Sequence, residues 1–135
     1  MRSNITFHID EAQRVLTAIR DDAALLANLQ ASAEACFDSL PRGGKTLLAG
    51  DGGDVFIGYS TSGQSPNILR TFEEARMKGI VCIGLKGSRS GPMQQLGDFL
   101  HEVPSSETPK IQEEHLVLGH ILCGLVESAL FKGAS

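Results

Sequence analysis

Between Ile9 and Leu40 apolar residues return every three or four positions. Ala12, Val15, Leu16 and Ile19 keep the i, i+3, i+4, i+7 spacing that a 3.6-residue period gathers on one side of a helix. Asp21-Asp22 interrupts the stripe and offers a fresh N-cap. Leu25, Leu26, Leu29, Ala33, Cys36, Phe37 and Leu40 carry it onward until Pro41 and Gly43-Gly44 stop it. This predicts two helices, or one kinked helix, with an apolar side to bury.

Beyond residue 44 the period changes. Lys45–Gly50, Asp54–Ser60 and Ile80–Gly84 are short, nearly unbroken apolar runs that read as buried strands. Pro66 to Lys78 is helical: Pro66 suits a first helical position, Leu69, Phe72, Ala75 and Arg76 recur at helical spacing, and Gly79 closes it. Pro92 to Leu96 makes one helical turn. Phe99–Val103 alternates like an edge strand. Pro109 to Phe131 is a long, mostly apolar helix. Continuous apolar strands alternating with helices predict an α/β fold, a parallel sheet sandwiched by helices. The expected organisation is one domain over 1–135, with N-terminal helices in 1–44 and the sheet core in 45–135.

One junction resists that scheme. The runs 45–50 and 54–60 are joined by about five residues, whereas a parallel connection needs a dozen or more. The two strands therefore form a hairpin, or a crossover near 50–54 is absent from this chain. Their apolarity on both faces favours the absent crossover.

Composition adds limits. Apolar residues make up 41% and charged residues 21% of 135 positions, which excludes a disordered, collagen-like or coiled-coil chain. The net charge of −4 argues against nucleic acid as a direct ligand. Cys36, Cys82 and Cys123 stand in apolar stretches without CxxC spacing and read as reduced, buried thiols of a cytoplasmic protein. No basic-then-apolar leader opens the sequence, and the apolar stretch Leu116–Phe131 is broken by His120 and Glu127, so no membrane segment is expected.

The segment Ser60-Thr-Ser-Gly-Gln-Ser65-Pro66-Asn67 carries the most chemistry. It follows a buried strand and opens a helix, with four hydroxyls in six residues and a glycine to turn the backbone. A helix start adds free N–H groups and a positive dipole end, which suits a phosphate monoester. No P-loop lysine is present, so a nucleoside triphosphate is not expected. The plainer alternative is a serine-rich turn with an N-cap.

Gly58-Tyr-Ser-Thr-Ser-Gly-Gln-Ser-Pro-Asn67 resembles the sugar-phosphate loop of SIS (sugar isomerase) domains. The run from Thr108 to Glu127, which contains Gln-Glu-Glu-His and Gly-His120, resembles the last helix of bacterial phosphoheptose isomerases. The likeness extends through the N-terminal helices and the third strand. It implies conversion of sedoheptulose 7-phosphate to D-glycero-D-manno-heptose 7-phosphate for lipopolysaccharide heptose, in a zinc-containing homotetramer with active sites between subunits. It also implies that Ser60, Thr61, Ser62 and Ser65 hold the phosphate and that Asp51 and Gln112 contact substrate. Gln112 and His120 would be metal ligands, and His120 a catalytic acid–base residue. The family's other two ligands, a histidine and a glutamate, follow a Gly-Asn-Gly-Gly-Ser turn. Here Leu48-Ala-Gly-Asp-Gly-Gly-Asp54 runs straight into the next strand, so about 60 expected residues, the catalytic glutamate among them, are absent. The resemblance also allows a non-catalytic SIS module that binds a sugar phosphate or a protein such as the replication initiator.

Without the resemblance, His120 reads first as a core histidine. Gln112 and His120 lie eight residues apart, about 12 Å along a helix, and two such donors fall short of the roughly four that zinc takes. The spacing sets His115 on another, exposed face, gives His101 and His8 no constellation, and makes Glu113, Glu114 and Glu127 a solvated face or intersubunit pairs.

Overall fold

A computed structural model of the chain describes residues 2–39 and 53–132. The strand expected at 45–50, Asp51 and most of the Gly50–Asp54 junction lie outside them. Helix α1 (Arg2–Asp21) begins before the Ile9 that the stripe suggested, and α2 (Ala23–Ser39) follows at once. The break is where the aspartates placed it: Asp22 accepts the Leu25 N–H through its carboxylate at 3.0 Å. Val15, Ile19, Leu25, Leu29, Ala33 and Cys36 are buried as expected, while Leu16 and Leu26 are exposed.

Strands β1 (Val55–Ser60), β2 (Val81–Lys86) and β3 (Phe99–Glu102) form a parallel sheet in the order β1-β2-β3. The strand read at 80–84 is central and runs two residues further, to Lys86. Helix α3 (Pro66–Met77) crosses between β1 and β2 and ends at Gly79, whose φ of 69° needs glycine. A 3-10 turn at Pro92–Gln95 precedes β3, and α4 (Thr108–Lys132) completes the described chain.

Alternation along the strands divides the core in two. Val55, Ile57, Ile83, Leu85 and Phe99 pack on the α1, α2 and α4 side. Phe56, Cys82 and Leu100 pack on α3 through Phe72 and Ala75. Burial of the Cys82 thiol pushes its pKa up to about 11, so it stays protonated. A Cβ on Gly58 would strike the Phe72 ring, and one on Gly84 would lie 3.4 Å from it. Gly58 thus makes room for Phe72 and lets α3 lie close to the sheet.

Helix α4 has the length and apolarity of a membrane-crossing segment over Thr108–Phe131, contrary to the expectation from the shorter stretch. Its first half nevertheless packs on protein, with Lys110, Glu114 and His115 among its buried residues. Lys110 donates to the His8 carbonyl of α1 at 3.1 Å and pairs with Glu113. Glu114, expected on a solvated face, is 1% exposed, and its burial raises its pKa.

His101, for which no partner was foreseen, is fully buried on β3 and bonded through Nε2 to Ser32 Oγ of α2 at 2.9 Å. Burial lowers its pKa to about 4. An unfolded chain, with histidine near 6.5, binds the proton first, so stability is full above about pH 7 and is lost as pH falls toward 4. His115 shifts in the same direction. Denaturant titrations should show the protein less stable at pH 5 than at pH 7.5, by about 2 kcal/mol from His101. A flat profile would mean that the ring finds a proton acceptor that keeps it charged.

Candidate functional site

The loop after β1 turns at Gly63, whose φ is 66°. Ser60 Oγ accepts the Gly63 N–H at 3.1 Å and lies 3.1 Å from Ser65 Oγ. Ser62 Oγ accepts the Gln64 N–H at 3.1 Å. Ser65 is the N-cap of α3, yet its side chain makes no capping bond, and Pro66 follows. The Ser65 side chain therefore leaves the first N–H groups of α3 to another partner. The structure gathers Ser60, Thr61, Ser62 and Ser65 in one turn at this helix start.

The turn is braced from beneath by the end of β2. Gly87 N–H donates to the Thr61 carbonyl at 3.2 Å, and Met93 N–H to the Gly63 carbonyl at 3.3 Å. Gln64 Nε2 donates to the Ser90 carbonyl at 3.1 Å. Lys86 is wholly buried, and its stem passes under Gly63, where a Cβ would come within 3.1 Å of it. Its ammonium uses all three donors, on the Gly87 carbonyl at 2.8 Å, the Arg89 carbonyl at 2.9 Å and Glu102 Oε2 at 2.5 Å. Nothing in the apolar pattern of the strand announced this cation.

Strand alternation brings in the second half of the site. Ser60 faces the α3 side, and Tyr59, one residue earlier, faces α4. Tyr59 lines an open cleft of about 440 Å³ with Gln112, His115, Leu116, Gly119, His120 and Cys123. Positions 112, 115, 116, 119, 120 and 123 recur at three- and four-residue steps and so share one side of α4. Gln112 and His120 are brought together there, both exposed. His115 belongs to the same wall and is only 5% exposed, which corrects the exposed face assigned to it. Position 115 stands three residues after Gln112 and four before Gly119, which sets it on the same side of the helix. Cys123 is exposed on this wall, not buried. Partial burial, with Cys123 alongside, raises the Tyr59 phenol pKa.

Gln112 and His120 supply two candidate metal donors. Among the described residues no three of His, Cys, Asp and Glu gather as a metal-holding group. Zinc takes about four donors, so these residues do not make a zinc site.

Comparisons with known proteins place this arrangement. No family model matches the chain. Two solved structures share its fold: a phosphoheptose isomerase from Francisella tularensis (TM-score 0.86, 21% identity, covering 95% of this chain and 98% of that one) and one from Neisseria gonorrhoeae (0.85, 20%, 93% and 98%). The fold is thus the SIS-type α/β sandwich that these isomerases share. In sequence, the phosphoheptose isomerase of Burkholderia pseudomallei is 42% identical over 186 residues, covering 94% of each chain. That of Aneurinibacillus thermoaerophilus is 54% identical over 80 residues, covering 59% of this chain and 40% of the relative. The chain belongs to the phosphoheptose isomerase family. The Burkholderia alignment spans 186 positions against 135 residues here, so at least 186 − 135 = 51 positions face a gap in this chain. A gap of that size agrees with the absent crossover inferred from connection length.

Gly87 tests how the turn is held. A Cβ there would meet the Ile111 side chain of α4 and lie 2.8 Å from the Thr61 carbonyl. Gly87→Ala should destabilise the fold by roughly 1–3 kcal/mol and weaken phosphate binding. Denaturant melts and phosphate titrations would read both effects, and unchanged values would show that the turn does not depend on this contact.

Proposed function

We propose that this chain binds sedoheptulose 7-phosphate and serves its isomerisation to D-glycero-D-manno-heptose 7-phosphate. The observation that carries the reading is the position of Tyr59, which borders the His120 cleft and directly precedes Ser60 of the hydroxyl-rich turn. Ser60, Thr61, Ser62 and Ser65, with the start of α3, hold the phosphate. The sugar chain extends past Tyr59 to Gln112 and His120. Asp51, the remaining proposed substrate contact, lies outside the described residues. Aldose–ketose isomerisation moves a proton between adjacent carbons through an enediol and needs one base, one acid and charge stabilisation. His120 supplies one proton-exchanging group. A zinc ion would require two further ligands from outside the described residues, so no step assigned here runs through a metal.

Calorimetry should detect sedoheptulose 7-phosphate binding, weakened by roughly 1–3 kcal/mol in Ser62→Ala through loss of a charge-assisted hydrogen bond. A coupled assay should give turnover at least about 10²-fold below that of an intact relative, with or without zinc, because the catalytic glutamate that the family resemblance implies falls among the positions absent here. Turnover within tenfold would show that the gapped positions are dispensable. Binding with no turnover would identify a non-catalytic sugar-phosphate module.

Assembly follows from what the fold leaves uncovered. Ile5, Phe7 and Ile9 of α1 and Leu116, Ile121 and Phe131 of α4 are large, apolar and exposed. We propose that copies of the chain cover these faces, as a tetramer by family resemblance. Light scattering at micromolar concentration should report an oligomer, and a monomer would refute this.

A further inference from the structure

We infer that His115 is a substrate-positioning residue, whose Nε2 accepts a hydrogen bond from a hydroxyl of the polyol part of the ligand in the Tyr59–His120 cleft. This rests on the sugar-phosphate reading above and adds a residue and a bond to it.

His115 lies in the cleft wall, 5% exposed, between Gln112 and His120 in sequence. One ring nitrogen bonds the Lys86 backbone. Nε2 is buried without a hydrogen-bond partner among the described residues. The bonded nitrogen is therefore Nδ1, and since the bond favours the charged ring, Nδ1 donates to the Lys86 carbonyl. Burial favours the neutral ring, and in the neutral ring a protonated Nδ1 leaves Nε2 a lone pair and no proton. The directions of the two nitrogens diverge, so anchoring Nδ1 on the end of β2 leaves Nε2 to face another side of the ring's surroundings. The Tyr59 ring meets the imidazole edge-on, with centroids 5.5 Å apart, and holds it in place. Gly119 permits this, since a Cβ there would lie 2.9 Å from the Tyr59 hydroxyl.

A buried acceptor without a donor is costly and calls for a partner. Phosphate oxygens and carboxylates are acceptors themselves and cannot serve. A hydroxyl can, and a sugar chain anchored by its phosphate at Ser60–Ser65 brings several past Tyr59.

Two variants separate this role from a structural one. His115→Asn keeps a donor near Nδ1 and leaves nothing at Nε2. His115→Gln puts an amide oxygen near Nε2 and gives up the Lys86 bond. Each is titrated calorimetrically with sedoheptulose 7-phosphate and with inorganic phosphate, after a thermal melt confirms folding. Asn should bind the sugar phosphate roughly 10–100-fold more weakly, with phosphate affinity unchanged. Gln should recover most of the sugar-phosphate affinity. The reverse order, with Asn behaving as wild type, overturns the inference and leaves the sugar-phosphate reading standing. So does an equal loss for both ligands. Wild-type protein that binds neither ligand overturns that reading and this inference with it.

Discussion

The end of β2 is the point on which the site depends. There a lysine with no exposed surface is held by two carbonyls and one carboxylate. A buried ammonium is tolerable only when its donors are matched, and here each match ties down a different piece of chain. Glu102 fixes β3 beside β2, the Gly87 and Arg89 carbonyls fix the loop that follows, and the lysine stem supports Gly63 of the serine turn. The Lys86 carbonyl adds two more ties, accepting the Val103 N–H at 2.8 Å and anchoring His115 of α4. Removing one partner of such a group leaves an uncompensated charge, so the junction behaves as a unit.

From that junction the site divides by the two-residue period of a strand. Ser60 and Tyr59 are neighbours in sequence and point to opposite faces of the sheet. One opens the turn that suits an anion, and the other enters the cleft on α4. A ligand with a phosphate at one end and a hydroxylated chain at the other matches this division. Helix α4 serves both the core and the cleft, because its sides differ. Ile111, Leu118 and Leu122 pack inward, whereas Gln112 and His120 face the cleft.

The family relation sharpens one constraint. At least 51 positions of the Burkholderia relative have no counterpart here, and among the described residues no three of His, Cys, Asp and Glu gather as a metal-holding group. What this chain does retain is the turn, the cleft and the helix that joins them. Under the proposed function those parts bind and orient the ligand, and the proton transfer needs an acid–base group besides His120.

The order and kind of elements were legible in the sequence because they follow from period and punctuation. The Asp22 cap, the Pro66 start and the Gly79 stop fell where local chemistry set them, and unbroken apolar runs announced a sheet covered on both faces. The serine turn was legible too, since its hydroxyls are adjacent in the chain. His120 and Gln112 were found through family resemblance, and periodicity alone made His120 a core residue. The tertiary structure alone decided the rest. His115, Glu114 and Cys123 changed between exposed and buried relative to their reading, because a helix of mixed polarity does not declare which side its neighbours will cover. Lys86 and His101 are polar residues inside strands, and only the approach of Glu102 and Ser32 makes their burial possible. Those partners lie 16 and 69 residues away in sequence. No local pattern encodes contacts of that separation, which arise when the sheet and α2 close on each other.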